Sequence, residues 1–189
     1  MFRPQIAAAA VLPLVALAAC SDSSAKDSTA VDVPDGVVEM YETVAAEISD
    51  RGGETTVGEW KIGYIVEAAE PWFEEHGGHS NFRNPKGDET NHIEIIPFEA
   101  ATGRIVPEVP IHVQVLDASG KVVDENDLNF YYATFFHYAN NFSLPGTGTY
   151  TIKATLGAPT FLRHGDEAAG PALADGAEVE FAGVEITTE

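Results

Sequence analysis

The sequence predicts an all-β fold, a sandwich of two antiparallel sheets with a short helix in front of it. Three observations carry that reading. From Thr55 onward apolar and polar residues alternate with a period of two, as half-buried strands do. Gly, Pro, Asp and Ser interrupt the alternation at intervals of roughly ten residues, the spacing at which sandwich strands turn back. The chain has 189 residues, 44% hydrophobic and 21% charged, enough for one buried core. Its single cysteine, Cys20, excludes an intrachain disulfide, so the core rests on burial alone.

Residues 1–19 read as an export signal. Arg3 supplies the positive start, and the apolar run from Ile6 to Ala19 falls short of the ~20 residues a spanning helix needs. Leu17-Ala18-Ala19-Cys20 resembles the lipobox of bacterial lipoproteins. The resemblance makes Cys20 the expected lipid-attachment residue and places the protein in the periplasm or at the cell surface, anchored to a membrane. Residues 20–35, small and polar, read as a flexible tether, and residues 36–189 as the folded domain.

Val37, Met40, Tyr41, Val44 and Ile48 recur at helical spacing behind a cap candidate, Asp35. Strand pairing about Arg51-Gly52-Gly53 competes with that helix. Strand candidates follow at Glu59–Val66, His92–Phe98, Pro110–Asp117, Lys121–Val123, Gly148–Leu156 and Ala177–Ile186. Tyr150, at the start of a strand just after a Gly turn, resembles the tyrosine corner of immunoglobulin-like domains, whose hydroxyl ties back to nearby backbone. The expected architecture is therefore an immunoglobulin-like β-sandwich.

Charge narrows the function. Ten Lys and Arg face 30 Asp and Glu, a formal net charge of −20. A polyanion is repelled by that field, so nucleic acid is excluded as a main ligand, while cations are attracted. Nucleophile-elbow, phosphate-loop and H-E-x-x-H motifs are absent, and no enzyme activity is expected. Six histidines remain: His76, His79, His92, His112, His137 and His164. A two-residue step puts His92 and Glu94 on one strand face, as two ligands, a ligand and its orienting partner, or an exposed polar edge. His137 lies among Phe135, Phe136, Tyr138 and Phe142, as a ligand or a core imidazole. His164 follows Arg163 in a loop, as a ligand or a solvated side chain. His76 and His79 read as loop residues and His112 as surface. Trp60 and Trp72 read as core or interface.

Four runs occur in order: Phe136-His137-Tyr138-Ala139-Asn140-Asn141, Gly146-Thr147-Gly148-Thr149-Tyr150-Thr151, Ala158-Pro159-Thr160-Phe161 and Arg163-His164-Gly165-Asp166, with His92-Ile93-Glu94 upstream. Together they resemble the family of periplasmic iron-transport lipoproteins, copper- and iron-binding partners of inner-membrane iron permeases. That resemblance implies an immunoglobulin-like sandwich, a homodimer, and a metal site of three histidines with an acidic residue and a methionine. His92, His137 and His164 match the histidines and Glu94 the acidic residue. The methionine has no counterpart, since the chain holds only Met1 and Met40. Its loss disfavours Cu(I) and leaves a donor set suited to iron, Cu(II) or zinc; Tyr131 or Tyr132 is a candidate to fill the space.

The expected function is capture of iron or copper and delivery to a permease. Protons should compete for the imidazoles, weakening binding as pH falls through about 6.5. The alternative is an immunoglobulin-like interaction lipoprotein that binds no metal. It requires the three histidines to lie far apart, beyond about 8 Å, where one ion with ligands at ~2.1 Å cannot bridge them.

Overall fold

The structure is a computed structural model that describes residues 32–188. The expected signal at 1–19, the lipid-attachment residue Cys20 and the tether as far as residue 31 lie outside the described residues.

Helix α1 (Asp35–Arg51) forms where the apolar spacing places it. Asp35 is not its cap, as the sequence suggested. Pro34 occupies that position without a side-chain cap bond, and Asp35 falls in the first turn, where its charge complements the helix N-terminus. Strand pairing does not displace the helix, because the first strand starts directly after it at Gly52.

Eleven strands follow among the described residues. In chain order they are β1 (Gly52–Val57), β2 (Trp60–Ala68), β3 (Trp72–His76) and β4 (His79–Arg83). Then come β5 (Asn91–Glu99), β6 (Ile111–Leu116), β7 (Val122–Asp127) and β8 (Asn129–Tyr132). β9 (Phe136–Phe142), β10 (Gly148–Leu156) and β11 (Ala177–Ile186) close the set. One sheet runs β1-β2-β5-β9-β8, the second β11-β10-β6-β7, and β3 and β4 pair as a separate hairpin. The fold is the expected β-sandwich. The alternating strands stand within a few residues of expectation. β1, β3, β4, β8 and β9 fall outside the strand candidates: β1 opens on two glycines and carries one apolar residue, and the others carry aromatic, histidine or asparagine side chains on both faces.

The core lies between the two sheets. Ile62, Ile93 and Ile95 of one meet Val113, Val115, Ile152 and Ala154 of the other, all without solvent exposure. The outer face of the five-stranded sheet has its own smaller core, where Val44 and Ile48 of α1 pack on Ile65, Ile96, Phe98 and Phe135. Gly63 permits that close seat, since a Cβ there would stand 2.5 Å from Ile48 Cδ1. β5 is thus buried on both faces. Ile93 and Ile95 point into the sandwich, Ile96 and Phe98 into the helix-covered patch, and His92 and Glu94 onto the same outer face, ahead of that patch.

Two tyrosine hydroxyls tie the sandwich. Tyr150 donates to the Gly146 carbonyl four residues upstream, the corner the sequence suggested. Tyr138, 2% exposed, accepts from the Val109 N–H at 2.9 Å and donates to the Val106 carbonyl at 3.1 Å. Tyr138→Phe keeps the ring and strands both backbone groups. It should cost roughly 1–3 kcal/mol, seen in urea unfolding as a lower midpoint with an unchanged slope.

Candidate metal site

β5 and β9 are neighbours, and their antiparallel register assembles the site. His92 pairs with Asn141 and Glu94 with Ala139. His137 lies two residues from Ala139 on the same face, diagonal to Glu94. Ala139, with no exposed surface, leaves the space above it to the larger side chains around it. One ligand atom from each of His92, Glu94 and His137 lies within 4.8 Å of the others, and all three residues are buried. The two imidazole rings are 6.4 Å apart.

Each ring has one nitrogen committed and one free. Asn141 donates its amide to the Glu70 carbonyl at 2.8 Å and to Glu89 at 3.1 Å, so its Oδ1 must accept. It accepts from the Glu70 N–H at 3.1 Å and from His92 Nδ1 at 2.8 Å. That puts the His92 proton on Nδ1 and leaves Nε2 with a lone pair. His137 Nδ1 donates to the Phe135 carbonyl at 3.3 Å, which frees its Nε2; that atom faces Glu94 Oε1 at 3.9 Å. Glu94 Oε2 is buried without a hydrogen-bond partner. Two imidazoles with a free nitrogen each and a buried carboxyl, grouped within 4.8 Å, are a donor set that fits a transition ion. Around an ion with ligands at about 2.1 Å the three atoms would stand roughly 3–3.5 Å apart, so they would close in from their present spacing.

Electrostatics agree. Burial pushes the Glu94 carboxyl up to about 8; the Glu47 and Glu70 carboxylates add to the rise and Arg51 opposes it. Burial lowers His137 to about 4, partly offset by its bond to Phe135, with His92 adding a little. Burial also lowers His92, against the Asn141 bond. Near neutral pH the pocket therefore holds two neutral rings and a protonated carboxyl, and the contact between His137 and Glu94 is not an ion pair. A cation would supply the charge that the site lacks.

Aromatic residues wall the pocket, a cavity of about 370 Å³. Tyr131, the cross-strand partner of His137, stacks on its ring at 5.5 Å and 15°. Of the two tyrosines suggested, Tyr131 is the one that lies against a site histidine. Trp72, read from the sequence as core or interface, lies 6.4 Å from His92 and faces the site. The Arg83 guanidinium sits 3.8 Å over Trp72 and pairs with Glu89, which links this wall back to Asn141.

His164 stands elsewhere. It is an exposed residue between β10 and β11, next to Arg163, which is pinned by the carbonyls of Pro159 at 3.1 Å and Leu173 at 3.0 Å. It lines a separate cavity with Glu99, Arg104, Phe161 and Leu173. Glu99 ends β5, seven residues beyond His92, which is roughly 23 Å along a strand. One copy of the chain thus brings three of the four expected residues together and leaves His164 apart. The other histidines also find places. His112 is a partly exposed strand residue bonded to Asp127 at 2.8 Å. His76 and His79 lie on strands β3 and β4 and not in an irregular loop. Asn141 was visible within the H-Y-x-x-N run, but its role needs the β5–β9 pairing, 49 residues apart.

Comparison with known proteins follows the same stretch of chain. A family model described as Fe2+ transport protein matches residues 89–184, just over half the chain. No curated protein matches. Among solved structures, FetP of uropathogenic E. coli strain F11 is similar at TM-score 0.60 and 18% identity, covering 74% of this chain and 96% of its own. A copper-bound variant of the same FetP aligns at 0.57 and 16%, covering 73% and 92%. A copper-bound variant of Campylobacter jejuni P19 aligns at 0.57 and 18%, covering 74% and 98%. The matched stretch holds β5 to β10 and most of β11, and with them His92, Glu94, His137 and Asn141. The chain belongs to the Fe2+ transport protein family.

Proposed function

We propose that this protein is an extracytoplasmic carrier that takes up an iron or copper ion at His92, Glu94 and His137 and passes it to an inner-membrane iron permease. The observation that carries the reading is the buried trio with both imidazoles oriented by their neighbours and the carboxyl oxygen unpaired. The rival interaction module needs scattered histidines, and the 6.4 Å between two of the rings speaks against it. Family membership and the copper-bound relatives support a metal as cargo. Zinc fits the same donors. Lipid at Cys20 would hold the carrier at a membrane, and the acidic surface would concentrate cations near it.

The position of His164 fits a shared site. A homodimer would let the partner's His164 complete the shell that one copy leaves open. Exposed aromatic side chains beside the pocket mouth support such an interface: Tyr132 is 79% exposed, Phe73 70% and Phe130 45%. Delivery requires the ion to leave again, and a shell closed by a second copy opens when the interface shifts.

The primary experiment is calorimetric titration with Fe2+, Cu2+ and Zn2+. Wild type should bind tightly, and His92→Ala with His137→Ala should lose that binding. Equal binding by the variant would falsify the assignment. The second concerns protons. Folded Glu94 titrates near 8, above its ordinary 4.5, so it keeps its proton near neutrality, and its favourable effect on the empty fold is lost as pH rises from about 4.5 through 8. An ion must expel that proton. The imidazoles, already neutral, release none. Affinity should therefore weaken as pH falls through about 8, not 6.5 as unperturbed imidazoles would have it. Titration in two buffers at pH 7 should give about one proton released per ion, and Glu94→Gln should abolish the release. Third, Asn141→Ala frees the His92 ring to rotate and should weaken binding by roughly 10–100-fold while His92 and His137 remain. Fourth, His92→Ala and His164→Ala each weaken the site when pure. Mixed and refolded together, they should regain some wild-type sites, since one mixed pocket carries every ligand; no recovery would exclude a shared site.

A further inference from the structure

The β3–β4 hairpin carries two histidines that the buried pocket does not use. His76 ends β3, His79 begins β4, and they are direct cross-strand partners. Gly77 and Gly78 between them have φ of 61° and 80°, a tight two-residue turn that side-chain-bearing residues rarely adopt. Directly opposed side chains share a face, with Cβ atoms roughly 4.5–5.5 Å apart. Two imidazoles at that spacing can hold one ion between them. Both residues are exposed, His76 with 76% of its side chain free. The period of two brings Glu74 to the same face, and its Oε2 is 3.4 Å from His76 Nε2. Glu74 is itself held by Trp72 Nε1–H at 3.0 Å and by Arg83 at 3.5 Å. A fixed turn, two cross-strand histidines and an anchored carboxylate therefore share one face at the hairpin tip.

We propose that His76 and His79, with the Glu74 carboxylate, form a second, solvent-exposed site for a borderline divalent ion such as Cu2+, Ni2+ or Zn2+. Imidazole and carboxylate suit these ions, and water fills the remaining positions. Binding there is weaker and exchange faster than in an enclosed pocket. The formal net charge of −20 favours cation arrival. The same face of the hairpin continues to Trp72, which lies against His92. The tip stands four residues, about 14 Å, up the strand from that contact. The proposal does not rest on the reading of the buried site, because the two share no ligand.

The test uses the full chain and Zn2+ alone. With His92→Ala and His137→Ala in place, one equivalent of Zn2+ should still bind, and the ring resonances of His76 and His79 should shift. Adding His79→Ala removes one of two linked ligands and should cost about 100-fold in affinity. In the otherwise wild-type chain, His76→Ala with His79→Ala should lower the stoichiometry by one and leave the far-UV spectrum and the tighter binding step unchanged. That second arm stands even if the buried-site variant fails to fold. Undiminished binding after His79→Ala, or an unchanged stoichiometry in the wild-type background, overturns the proposal. Loss of the tighter step in the His92 and His137 variant bears only on the buried site.

Discussion

A carboxyl group sealed among rings is the constraint around which this molecule is arranged. Glu94 lies 4% exposed with one oxygen unpaired, against two imidazoles that cannot donate to it from their free nitrogens. A buried polar atom without a partner costs roughly 1–3 kcal/mol. A fold retains such a position only if the surrounding structure holds it there. Here β5 is buried on both faces, so the strand cannot roll Glu94 out to water without exposing Ile93 and Ile95 from the sandwich core.

That confinement gives the pocket its chemistry. Burial opposes charge, so near neutral pH the carboxyl stays protonated and the imidazoles neutral. A bound cation would reverse the balance, supplying the missing charge in exchange for the Glu94 proton. The helix matters at this point although it contributes no ligand. It covers Ile96 and Phe98 next to Glu94, and places Glu47 and Arg51 near enough to act on the carboxyl. The Asn141 amide, held from two sides by the Glu70 carbonyl and Glu89, aims His92 without touching the space between the ligands.

The aromatic wall divides two tasks. Tyr131 and Trp72 shield the rings of His137 and His92, while Tyr132, Phe73 and Phe130 face outward around the mouth. His164 lies apart from this wall, in a separate cavity with Glu99 at the end of β5.

The amino-acid order determined what depends on near neighbours. Alternation over Gly148–Leu156 and Ala177–Ile186 defined strands to the residue, helical spacing from Val37 to Ile48 offered α1 against a rival strand pairing, and the step from His92 to Glu94 put two donors on one face. Each of these follows from the geometry of a single segment. Which histidines meet was decided only by the tertiary structure. Convergence of His92 with His137 depends on β5 pairing with β9 and on a register that sets Ala139 opposite Glu94, and no local spacing encodes either. The same holds for Asn141, whose neighbours in space are 49 and 71 residues away, and for His164, which the family resemblance grouped with the others and the fold set in a separate cavity. Side-chain direction is local and legible; partnership across strands is a property of the whole packed sheet.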